Sequence, residues 1–146
     1  VMALFIGDFP HTLDDKGRLI MPSKFRNELG TNFVVTRGLE GCLFVFTERK
    51  WTEFTEQLNS KGFSKKDVRS ITRFFCSCAM NADLDKQGRF LVNKNLREFA
   101  EIERDVMIIG VSDRIEIWSK EKWDEYSKAE YSDDNIMSER FDGLDF

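Results

Sequence analysis

Histidine is almost missing from this chain, and His11 is its single representative. That closes most acid–base and metal-centred chemistry, which leans on imidazole. Cysteine is scarce as well. Of three cysteines, Cys76-Ser77-Cys78 has C-x-C spacing without a second ligand pair, so no metal and no cofactor is expected. So few cysteines make no disulfide framework and point to a reducing, cytoplasmic compartment. No apolar run approaches the roughly 18 residues of a membrane span, and no signal peptide is expected. What remains is 146 residues, 41% hydrophobic and 33% charged, which is enough for a globular chain with a sizeable core. Val1 ahead of Met2 reads as an addition and stays outside the fold argument.

Net positive charge is also lacking, since the formal charge is −4. Its distribution matters more than its sum. Residues 8–50 carry +1, residues 51–78 carry +2, residues 79–122 carry −1 and residues 123–146 carry −6. The acidity sits in the tail, where it commonly only solvates an end. A nucleic-acid partner would have to meet a local patch, or many weak patches assembled together.

An internal repeat organises the chain. Leu13-Asp14-Asp15-Lys16-Gly17-Arg18-Leu19-Ile20-Met21 returns 71 residues later as Leu84-Asp85-Lys86-Gln87-Gly88-Arg89-Phe90-Leu91-Val92. Phe25-Arg26 matches Leu96-Arg97 at the same offset. Leu43-Phe44-Val45-Phe46-Thr47 with Trp51 matches Ile115-Glu116-Ile117-Trp118-Ser119 with Trp123 at offset 72. Two copies in one register define one small unit used twice. The division expected is repeat one over 8–50, a helical connector over 51–78, repeat two over 79–122, and a C-terminal helix with acidic tail over 123–146.

Periodicity supplies the elements. Gly17 and Gly88 provide the left-handed position of two turns, each followed by a short apolar strand. Pro22 can open a helix that Gly30 closes. Phe33-Val34-Val35 and Leu43-Phe44-Val45-Phe46 flank a glycine-bounded hairpin, and residues 106–111 and 114–118 repeat it. Thr47 and Ser119 cap helices carrying Trp51 and Trp123, while Ser64 with Asp67 reads as a capping box. The last fifteen residues show no strong pattern. Neither unit can bury its own core comfortably, so the two are expected to interleave as an internal pseudo-dimer, mixed α+β and β-rich.

The doubled turn carries the chemistry. An aspartate can accept hydrogen bonds from turn amides and stiffen the loop. An arginine four residues on brings a rigid donor fork suited to phosphate or to a guanine edge. The plainer alternative is that Asp14–Arg18 and Asp85–Arg89 are ion pairs holding the turns. Arg26, Arg37 and Arg97 read as surface charges, and Lys61, Lys65, Lys66, Arg69 and Arg73 as a solvated helix face. His11 reads as a packed or surface residue. An enzyme using Asp14 and Asp85 as paired carboxylates is disfavoured, because the neighbouring arginine keeps each ionised.

On these residues the chain resembles the MraZ family, the tandem members of the SpoVT-AbrB-like swapped-hairpin proteins. The match rests on Asp14…Arg18 and Asp85…Arg89, with Lys24-Phe25-Arg26, Thr36-Arg37-Gly38-Leu39-Glu40-Gly41-Cys42-Leu43 and Arg114-Ile115-Glu116-Ile117-Trp118 in support. It covers roughly Met2 to Trp123. The resemblance implies two swapped-hairpin repeats in a double-split barrel with added helices. It also implies a cytoplasmic, nucleoid-associated regulator of the division and cell-wall gene cluster, binding short direct repeats in double-stranded DNA, its own promoter included. A homo-oligomeric ring is implied too. It shifts the weight for Arg18, Lys16, Arg89 and Lys86 toward DNA contact, with Asp14, Gly17, Asp85 and Gly88 fixing the turns. The competing reading is an oligomeric scaffold without direct DNA readout.

Overall fold

The two copies of the unit exchange strands. In the computed structural model, which describes residues 4–145, repeat one runs β1 (Phe5–Thr12), β2 (Arg18–Ile20), α1 (Ser23–Leu29), β3 (Asn32–Arg37) and β4 (Leu43–Thr47), followed by α2 (Glu48–Ser60) and α3 (Lys66–Cys76). Repeat two runs β5 (Met80–Asp83), β6 (Arg89–Leu91), α4 (Lys94–Phe99), β7 (Asp105–Ser112), β8 (Arg114–Ser119), α5 (Lys120–Tyr131) and α6 (Asp134–Gly143). Val1 and Met2 lie outside the described residues. Among those residues no helix is long and apolar enough to cross a membrane.

A six-stranded antiparallel sheet has the order β1-β7-β8-β4-β3-β5. β1 of repeat one lies on β7 of repeat two, from Phe5 opposite Ser112 to Thr12 opposite Asp105. β5 of repeat two lies on β3 of repeat one. The hairpins β3–β4 and β7–β8 meet edge to edge, with Phe44 opposite Glu116. A second, two-stranded ribbon joins β2 to β6 with Leu19 opposite Phe90. In both places a residue faces its own repeat counterpart, so a pseudo-two-fold axis passes through each.

Two apolar layers hold this together. Between sheet and ribbon lies the main core, where both repeats contribute Phe5, Leu19, Phe25, Phe33, Phe90, Leu96 and Ile108. Phe33 of repeat one meets Phe90 of repeat two edge-on, with ring centroids 5.3 Å apart. The other sheet face carries Phe44, Phe46 and Trp118 under α2, α3 and α5, with Trp51, Phe54, Phe75, Trp123 and Tyr126 packed over them. Leu43 to Phe46 are therefore buried in succession, as a strand covered on both faces requires.

The helix starts show which local signals operate. Thr47 and Ser119 accept the backbone N–H groups of Lys50 and Lys122. Asn93 caps α4 by accepting from Leu96, whereas Pro22 occupies the same position in repeat one without a side-chain bond. The Ser64–Asp67 capping box is not formed. Ser64 is held in a turn closed by Lys65 N–H to the Gly62 carbonyl, and the helix starts one residue later, at Lys66. Arg69 donates instead to the carbonyls of Phe63 and Ser64. The tail, expected to be patternless, forms α6. Asp133 caps it by accepting from Asn135, and Arg140 pairs with Glu130 of α5. No residue of α6 is fully buried, so no apolar stripe betrays it in the sequence.

Candidate nucleic-acid interface

Asp14 organises the first turn through every oxygen it has. Its carbonyl accepts from Gly17 at 3.0 Å, Oδ1 accepts from Lys16 N and Arg18 N at 2.9 Å each, and Oδ2 accepts from Arg18 Nε at 2.8 Å. Its own N–H donates to the Arg18 carbonyl at 2.9 Å. Asp85 repeats the pattern: Gln87 N and Arg89 N reach Oδ1 at 2.9 Å, and Arg89 Nε reaches Oδ2 at 2.8 Å. The Arg18 backbone N–H leads in holding the Asp14 carboxyl below its ordinary range, with the guanidinium adding to it; Arg89 does the same for Asp85. Gly17 and Gly88 sit at φ of +81° and +77°, where a β-carbon is strained.

The turns are also fastened to each other. Met21 N donates to the Gly88 carbonyl and Val92 N to the Gly17 carbonyl, both at 2.9 Å. Over each glycine lies an arginine from the opposite repeat. A β-carbon on Gly88 would come 2.3 Å from Arg26 Cζ, and one on Gly17 would come 3.2 Å from Arg97 Cζ. Arg26 Nε donates to the Met21 carbonyl at 2.8 Å, while the buried Arg97 Nε has no hydrogen-bond partner among the described residues. Arg26 and Arg97, read above as surface charges, thus hold the turns from behind. Their guanidinium planes need the space that glycine leaves.

Arg37 corrects the sequence reading in the same way. Its Nε donates to the Phe74 carbonyl and Cys78 Sγ at 3.0 Å each, and its guanidinium lies 4.6 Å from the Phe74 ring centroid. It clamps the end of α3 to β3. Cys78 of the C-x-C pair is part of that packing, also within 3.4 Å of Thr36 Oγ1, while Cys76 is exposed. His11 is half-buried on β1, and burial first, then the Arg26 charge, lowers its pKa.

On the ribbon, Arg18 stands opposite Leu91 and Arg89 opposite Ile20, all four on the face away from the buried Leu19 and Phe90. Asp14 and Asp85 take the Nε atoms and leave over the terminal guanidinium nitrogens of both arginines. Those nitrogens have no hydrogen-bond partner among the described residues. Lys16 and Lys86 are exposed at the turn tips but are not equivalent, since Gln87 is the counterpart of Lys16. Such a surface offers two arginine donor forks, an apolar pair between them and exposed lysines at either end. It suits a planar or anionic ligand that spans the axis.

Fold and site define a tandem-repeat pseudo-dimer with a pair of aspartate-fixed arginine turns on its axis. The MraZ protein family, described as antitoxin-like, matches this chain twice, at residues 4–74 and 75–143. The chain belongs to that family. It is 52% identical over 126 residues to the transcriptional regulator MraZ of Caldanaerobacter subterraneus subsp. tengcongensis, covering 86% of this chain and 88% of that one. With the transcriptional regulator MraZ of Natranaerobius thermophilus it shares 50% identity over 140 residues, 95% of this chain and 98% of the relative. The Moorella thermoacetica protein of the same name is 44% identical over 142 residues, 97% and 99% of the two chains.

Proposed function

We propose that this chain is a sequence-specific DNA-binding regulator of transcription that reads short direct repeats through its two arginine turns. One observation carries the reading: Arg18 and Arg89 lie on one ribbon face across the axis, each aimed by an aspartate that also fixes its turn. The names of the relatives, transcriptional regulators, support it. The strand exchange between repeats supports an AbrB-like swapped-hairpin barrel. Through its family the reading extends to the division and cell-wall gene cluster, its own promoter included, and to a cytoplasmic, nucleoid-associated protein. With a net charge of −4, one chain offers little to a polyanion, so the reading includes a homo-oligomer, a ring, in which many weak sites act together. No catalytic step is needed.

The charge balance and acidic tail equally suit an oligomeric scaffold, and one experiment separates the two. Gel shifts with DNA from upstream of the gene, at several salt concentrations, are run for the wild type, Arg18→Ala and Arg89→Ala. Loss of a bidentate base contact weakens binding by about 1–3 kcal/mol per engaged site, and loss of a phosphate contact lowers the salt slope by about 1. Circular dichroism and oligomer size stay unchanged. Wild-type-like binding by Arg18→Ala makes the turn structural, and no shift by the wild type leaves the scaffold.

A further inference from the structure

The ribbon face holds two residues that the turn chemistry does not use. Ile20 and Leu91 are large and apolar, yet 42% and 50% exposed. Each stands directly across the ribbon from an arginine, Ile20 from Arg89 and Leu91 from Arg18. Directly opposed residues share a face at about 5 Å, so the four side chains form one compact patch, cationic on one diagonal and apolar on the other. Beneath it Leu19 and Phe90 are fully buried, which fixes the register and keeps the face outward.

Building on the DNA reading above, we propose that Ile20 and Leu91 are specificity-determining residues that pack on the 5-methyl groups of thymines in the major groove beside the bases met by Arg89 and Arg18. A two-stranded ribbon fits the width of that groove. The one apolar feature on its floor is the thymine methyl, and guanine presents the acceptors an arginine fork matches. The patch offers both chemistries at the spacing of neighbouring residues. Lys16 and Lys86 at the turn tips supply charge toward the flanking phosphates, which favours DNA over a second protein surface as the occupant.

The test uses the full-length protein with Ile20→Ala, Leu91→Ala and the wild type. The probe is a duplex that the wild type selects from a random-sequence library, made once with thymine and once with uracil, which lacks only the methyl. Wild type is expected to bind the uracil duplex about fourfold more weakly for each contacted methyl lost. Each alanine variant is expected to lose the thymine preference at the positions its residue touches, with circular dichroism and oligomer size unchanged. Equal wild-type affinity for the two duplexes overturns the proposal, as does a uracil penalty that both variants retain in full. A selected site without thymine overturns it too. Variants that change oligomer size but not base preference make the patch a contact between copies, which also overturns it. If the wild type selects no duplex at all, the DNA reading itself fails, an outcome distinct from the others.

Discussion

Gly30 and Gly88 share a positive φ, +80° and +77°, but not a neighbourhood. Nothing lies within 4 Å of a β-carbon built on Gly30, whereas one on Gly88 runs into the Arg26 guanidinium. With ψ at 177°, Gly30 occupies a region essentially reserved for glycine, so Gly30→Ala should cost about 1–3 kcal/mol from the backbone alone. Gly88→Ala should add displacement of the Arg26 guanidinium to its backbone penalty, and Arg26→Ala in the same chain should return that part; a double-mutant cycle by urea unfolding measures it. The aspartates give a pH signature. Asp14 and Asp85 have folded pKa values below the unfolded one, so their contribution is complete above the ordinary carboxylate range of about 4. It is lost as pH falls through the folded value. Urea midpoints measured downward from neutral pH should drop below about pH 4, and Asp14→Asn with Asp85→Asn should flatten that part of the curve. A reader of the sequence could find the turns, because Asp, Gly and Arg act within five residues of one another. The roles of Arg26, Arg97 and Arg37 are not legible in sequence, because the glycines the first two cover lie in the opposite repeat and the groups Arg37 binds lie some forty residues on.

Among the elements, the exchanged strands β1 and β5 settle how the halves depend on each other. β1 leans over its full length on β7, a strand of the other repeat. Residues 1–70 alone leave β1 without a partner, open both outer edges of the β3–β4 hairpin and expose Phe33 and Val35, so that fragment should aggregate. A soluble fragment with a dispersed NMR spectrum would contradict this. Arg37 plays a comparable part for α3, and Arg37→Ala leaves the Phe74 carbonyl only the weak Cys78 thiol donor and uncovers the Phe74 ring. A loss of about 2 kcal/mol in thermal or urea unfolding is expected, with the ribbon unaffected. Elements announced by an apolar run between turn residues or by a cap are readable from sequence, as the two hairpins, Thr47 and Ser119 illustrate. The failures have physical causes. Ser64 is held by a turn before it can cap, and α6 forms without an apolar face.

At the scale of the molecule, charge separates the ribbon from the tail. Residues 123–146 carry −6, which should repel phosphates wherever they approach. Truncation after Tyr131 removes α6 while keeping the Trp123, Tyr126 and Tyr131 rings that pack on one another. DNA affinity should then stay level or improve; a large loss would mean that α6 belongs to the assembly. The repeat made the pseudo-dimer legible from sequence, since two small units in one chain must share a core. The pairing of β1 with β7 was not legible, because strand partners are chosen by the whole fold and leave no mark on the strand itself.

Phe44 facing Glu116 on the axis has a further consequence. In a dimer of identical subunits, a residue on the two-fold meets its own image, so that position would be Phe against Phe or Glu against Glu. Joining the halves in one chain lifts the constraint. Glu116 accepts from Arg114 and from Trp118 Nε1, and Arg114 in turn lies 4.6 Å from the Phe44 ring centroid, an arrangement with a head and a tail. The turns differ likewise, with Lys16 in one where Gln87 stands in the other. A reader with identical halves sees a double helix the same in both directions and is matched to palindromes. A reader whose halves differ can tell upstream from downstream, and copies of it can line up facing the same way along a tandem array.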